Sequence, residues 1–134
     1  MIVVNPSALL EALLRAPASA AGERRLFEPG QSLHAPHLLD VEAAQVVCRY
    51  AANGAIEPER GRTALVDLAD FPIRRYPHGF LLSRVWQLRN NLTAYDAVYV
   101  ALAEALDGRC SRATGILPTP RAVTSGSNWC KGPR

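Results

Sequence analysis

Short apolar runs alternate along the chain with stretches in which apolar residues recur every three or four positions, and Pro, Gly and Asn mark the changes. Ile2, Val3 and Val4 form a β-branched run suited to a buried strand. The run stops at Asn5-Pro6, and SALLEALLR then takes up helical spacing, with Asn5 placed to cap and Pro6 at the first helical position. A second helix is predicted over residues 18–27, closed by Pro29-Gly30, and SLHAP reads as a short strand. His37 to Ala52 reads as a helix that packs Leu39, Val46, Val47 and Tyr50 and stops at Asn53-Gly54. Glu42, Gln45 and Arg49 fall on another side of it, and periodicity alone makes them a solvated stripe. Glu57-Pro58 opens a further helix packed through Leu65, Val66 and Leu68, which Phe71-Pro72 closes. Pro72 to Tyr76 then reads as a strand with Arg74 and Arg75 exposed. His78 to Leu88 reads as an amphipathic helix with Phe80, Leu81, Val85 and Leu88 packed and Arg84 and Arg89 exposed.

The most apolar stretch is NLTAYDAVYVALAEAL, residues 91–106, a helix whose Tyr95, Val98, Tyr99, Leu102, Ala105 and Leu106 form a broad buried face. Asp96 sits in its first turn. Two readings of this acid are open: Thr93 caps the helix with Asp96 as the third residue of a T-x-x-D box, or the carboxylate serves a partner from elsewhere in the fold. Spacing alone favours the cap. The order strand, helices, strand, helices, strand, helices argues an α/β fold with a short parallel sheet covered on both faces. Sites in such sheets gather at the carboxyl ends of the strands, where Asn5 falls.

With 134 residues the chain makes one domain with a sizeable core. No apolar run approaches the ~20 residues of a membrane span, and the opening apolar run is too short for a signal-peptide core, so a cytoplasmic protein is expected. Cys48, Cys110 and Cys130 lack C-x-x-C spacing and suggest neither a disulfide framework nor zinc; Cys48 is expected in the core. His34 and His37 flank Pro36, a weak metal signal without further ligands. The net charge of +3 divides unevenly: residues 1–107 carry ten Arg against twelve Asp and Glu, whereas residues 108–134 carry five basic residues and no acid. The basic balance therefore belongs to the tail, where solvated charges are the ordinary expectation, and gives little support to nucleic-acid binding by the folded part.

Three segments, MIVVNPSALLEALL, HLLDVEAAQVV and NNLTAYDAVYVALAEAL, together resemble the PIN-domain ribonucleases, specifically the VapC toxins of type II toxin–antitoxin systems. The resemblance covers about residues 1–107, and the T-x-Y-D-A-x-Y-x-A-L-A order is its most specific part. It implies a PIN-like three-layer α/β fold and an endoribonuclease dependent on Mg²⁺ or Mn²⁺. It also implies a homodimer silenced by a VapB-type antitoxin, with RNA as substrate and no membrane partner. On the matching positions it implies that Glu42 and Asp96 are catalytic metal ligands, that position 5 is a third ligand, and that Ser7 lies close to it. Hard oxygen donors clustered in this way suit Mg²⁺, which activates water and neutralises charge at a phosphodiester.

The chain departs from the family pattern in two places. Asn5 stands where the pattern has Asp, and its amide oxygen brings no negative charge. After the later helix the family continues with a strand and a T-R-D-like segment carrying another acid, whereas residues 108–134 contain no acid, four Gly and three Pro. An irregular tail, loss of the C-terminal strand and weakened cleavage are expected; the alternative is an inactive PIN domain that acts by binding antitoxin. Arg outnumbers Lys fourteen to one, which suggests GC-rich coding. Written in such codons and read two bases later, Gly108 to Val123 can spell PLLTRDRHPADAPGR, so a shift of reading frame near Gly108 would account for the missing segment.

Overall fold

The computed structural model describes residues 1–14 and 28–106. Along the chain these form β1 (Ile2–Val3), α1 (Pro6–Leu14), β2 (Leu33–Pro36), α2 (Leu38–Ala52), α3 (Pro58–Asp70) and β3 (Ile73–Tyr76). A 3₁₀ turn (Gly79–Leu81) then leads into α4 (Leu82–Leu88), and α5 (Ala94–Ala105) follows. The helix expected over residues 18–27, the irregular tail, the lost strand, Cys110 and Cys130 lie outside the described residues.

The sheet is parallel with order β1-β2-β3. Ile2 pairs with Leu33 and Val3 with His34, and β2 runs beside β3 from Leu33–Ile73 to Pro36–Tyr76. Val4 extends the first pairing by donating its amide to the His34 carbonyl at 2.9 Å. Every residue of β2 is buried, as a central strand covered on both faces must be. Parallel neighbours put all three carboxyl ends on one edge, so Asn5, the start of α2 and the end of β3 lie along it.

Leu9 of α1, Leu39 of α2, Leu102 of α5 and Val4 after β1 are among the largest fully buried side chains, and all four belong to one core. Burying each contributes roughly 1.5–3 kcal/mol relative to exposure. Helix α5 is covered twice: Val98, Tyr99, Ala101 and Leu102 join the main core, while Ala97 and Val100 pack with Leu88 of α4. Gly61 lets α3 close on α2, because a Cβ there would stand 3.2 Å from Val47 Cγ1. At Gly54, φ is +76°, and this left-handed residue ends the turn after α2.

The element order and α/β class follow the sequence pattern, but several faces do not. Tyr95 is 63% exposed and Ala105 is also exposed, although helical spacing predicts both on the buried face. Phe80 (61%) and Val66 (51%) likewise point outward, and Cys48 is a surface thiol. The predicted helix from His78 begins instead as a 3₁₀ turn, which changes the residue rotation and carries Phe80 off the packed side. Arg75 is not an exposed strand residue: its side chain is about one-fifth accessible and pairs with Asp40. No helix among the described residues is long and apolar enough to cross a membrane.

Candidate metal centre

Asn5 follows β1 and caps α1, accepting the Ala8 amide on Oδ1 at 3.1 Å with Pro6 opening the helix. Ser7 is exposed in the first turn of the same helix. Glu42 stands in the second turn of α2, where Gln45 and Arg49 are exposed but Glu42 itself is half-buried. The solvated-stripe reading therefore holds for two of the three residues and fails for the acid.

What draws Glu42 inward is Tyr99 of α5, whose phenol donates to Glu42 Oε2. Tyr99 is 3% exposed, and a buried phenol O–H requires an acceptor. One turn before it, Asp96 is held by Thr93: the Thr93 hydroxyl accepts the Asp96 amide at 3.1 Å and donates to Asp96 Oδ2 at 2.9 Å. The cap expected for Thr93 is present. The cap bonds use Oδ2 and leave Asp96 Oδ1 without a partner in that box, so capping and service to a partner are compatible.

Glu42 feels the Asp96 charge. Burial raises the Glu42 carboxyl above its ordinary range, the Tyr99 hydrogen bond opposes this, and the Asp96 charge raises it further. The Tyr99 phenol is raised by burial, then by its bond to Glu42 and by the charges of Glu42, Asp96 and Asp40. The carboxylates of Glu42 and Asp96 are hard oxygen donors. Mg²⁺ keeps several waters and takes only one or two protein carboxylates, so the donor set suits it. Among the described residues there is no group of three or more His, Cys, Asp or Glu placed to hold a metal.

His34 is accounted for without a metal. Its ring nitrogens lie 2.8 Å from Tyr76 Oη and 2.8 Å from Ser32 Oγ, the ring stacks on Tyr76, and burial followed by the Arg74 charge lowers its pKa. Exposed His37 precedes α2 as its N-cap without a side-chain cap bond. Sequence reading missed Tyr99 as a partner, having placed it only on the apolar face; its buried hydroxyl was the available signal.

No family model matches the chain. A VapC ribonuclease of Mycobacterium bovis, Mb0985, is 43% identical over 117 residues and 87% of both chains. Ribonuclease VapC1 of Mycobacterium tuberculosis is 44% identical over 106 residues, covering 78% of this chain and 79% of its own. The chain belongs to the VapC ribonuclease family. Ribonuclease VapC12 of M. tuberculosis, 37% identical over 122 residues, spans 86% of this VapC chain and 93% of its own. The crystal structure of M. tuberculosis VapC20, a Sarcin-Ricin loop cleaving toxin, superposes with a TM-score of 0.57 over 81% of this chain and 85% of its own; at 14% identity it supports the fold alone. The match to the M. bovis relative is longer than residues 1–107, so the likeness continues past Asp107.

Proposed function

We propose that the chain is the toxin of a type II toxin–antitoxin pair and cleaves RNA endonucleolytically with Mg²⁺ or Mn²⁺ held by Glu42 and Asp96. Asn5 contributes a neutral oxygen, and Ser7 lies two residues beyond it. The observation that supports the reading is the bond from Tyr99 of α5 to Glu42 of α2, which draws Glu42 to the helix that carries Asp96 one turn earlier. Bound there, the cation would activate water and neutralise charge at the scissile phosphodiester. The residues supply the rest: Asp96 is oriented by Thr93, Glu42 is drawn inward by Tyr99, and the two negative charges provide the electrostatic hold.

The same reading includes a VapB-type antitoxin, a homodimer and RNA as substrate. Its test is RNA cleavage by purified protein with Mg²⁺. Cleavage blocked by EDTA and reduced by roughly 100-fold or more in Asp96→Ala is expected for loss of a metal ligand. Cleavage that persists in EDTA would overturn the metal assignment.

A second reading is favoured by the amide at position 5 and by the absence, among the described residues, of a three-acid cluster. In this reading the chain no longer cuts RNA and acts by capturing antitoxin, competing with active toxins. Antitoxin capture in a pull-down, together with no cleavage until Asn5→Asp is introduced, would select it.

A further inference from the structure

Asp96 and Tyr99 are three residues apart on α5 and so share a side of that helix. The helix is pinned between the sheet and α4, with Tyr99 packed in the main core, so the phenol oxygen occupies a fixed position relative to Asp96. Glu42 is different. Its side chain is long and unbranched, and its neighbours on the same stripe, Gln45 and Arg49, extend into water. The Tyr99 hydroxyl turns it towards α5, engaging Oε2 and leaving Oε1 outside that bond.

We infer that Tyr99 is a positioning residue that anchors the Glu42 carboxylate beside Asp96 and thereby pre-organises the pair for a divalent cation. The inference rests on the metal site proposed above. Partners of this kind set the orientation of a metal-binding carboxylate while touching neither metal nor substrate. Holding Glu42 before the cation arrives removes the rotamer cost of recruiting it on binding.

The test uses the full chain and Mn²⁺ as probe, with binding followed by calorimetry and by the loss of the free-ion electron paramagnetic resonance signal. Tyr99→Phe removes one oxygen and keeps the ring. Mn²⁺ affinity should fall roughly 10- to 100-fold, the usual effect of removing such a partner. In a Glu42→Gln background the same change should cost no further affinity, because there is no ionised carboxylate left to aim. A purely structural tyrosine would weaken binding equally in both backgrounds.

A second measurement does not depend on the variant folding. With 3-fluorotyrosine placed at position 99, the ¹⁹F resonance should shift when Mg²⁺ is added and should not shift in Glu42→Gln. Three results overturn the inference. Mn²⁺ binding in wild type that Glu42→Gln weakens and Tyr99→Phe leaves unchanged overturns it alone, as does an unmoved fluorine signal under saturating Mg²⁺. No Mn²⁺ uptake by wild type overturns it together with the metal site.

Discussion

Thr93 and Asp96 hold each other twice: one hydroxyl accepts the Asp96 amide at 3.1 Å and donates to its carboxylate at 2.9 Å. The first bond closes the N-terminus of α5, and the second fixes the rotamer of the acid. Thr93→Ala should therefore cost about 1 kcal/mol in urea unfolding, the usual worth of an N-cap, and should also weaken Mn²⁺ binding. Thr93→Ser should restore both. A variant that loses stability and keeps full affinity would separate the cap from the site.

Arg75 ties three elements together. Its Nε lies 2.8 and 3.0 Å from the two Asp40 oxygens in the first turn of α2, and its terminal nitrogen donates to the Leu68 carbonyl near the end of α3 at 2.7 Å. Arg75→Ala removes one of two donors to that carbonyl, which keeps the Phe71 amide at 3.3 Å, and takes the guanidinium from the partly exposed acid, an expected loss of ~1 kcal/mol. Arg75→Lys should recover little, since an ammonium cannot reproduce the fork. Denaturation midpoints at unchanged m-value measure both.

Glu42 should cost the metal-free fold stability at neutral pH. Its carboxyl is raised above the reference 4.5 by burial and, after the opposing Tyr99 bond, by Asp96. A folded state that holds the proton more tightly than the unfolded chain gains stability below the unfolded pKa and loses it as pH rises through the folded value. In EDTA, Glu42→Gln and wild type should thus melt together near pH 4, with the variant higher at pH 7. Added Mg²⁺ should narrow that gap. A wild type that is the more stable partner at pH 7 in EDTA would contradict the assignment.

Asn5→Asp should strengthen Mn²⁺ binding by roughly tenfold or more, about 1.4 kcal/mol for each factor of ten, by adding a charged oxygen at the strand edge. Thermal stability should stay close to wild type, because Asp caps a helix as well as Asn does. Unchanged affinity in calorimetric titration would place position 5 outside the cation's reach.

Pro and Gly made the element order legible. Asn5-Pro6, Asn53-Gly54, Glu57-Pro58 and Phe71-Pro72 mark boundaries that local backbone chemistry sets, and the elements begin or end beside them. Faces were less legible. Periodicity shows which residues share a side and says nothing of which side a neighbour covers, so Tyr95, Phe80 and Val66 were placed inside and Arg75 outside. For the proposed site, motif resemblance supplied Glu42 and Asp96, but the bond that ties Glu42 to α5 comes from Tyr99, which helical spacing could present only as one more apolar residue. The frame-shift account of the tail rests on chosen codons, and residues 108–134 lie outside the described residues.

The bond between Tyr99 and Glu42 joins residues 57 positions apart. A polypeptide still being made therefore carries Glu42 without its anchor, and Asp96 is among the last of the acids to emerge from the ribosome. Until α5 has cleared the exit tunnel and docked, the nascent chain has nothing to hold Glu42 in its folded orientation.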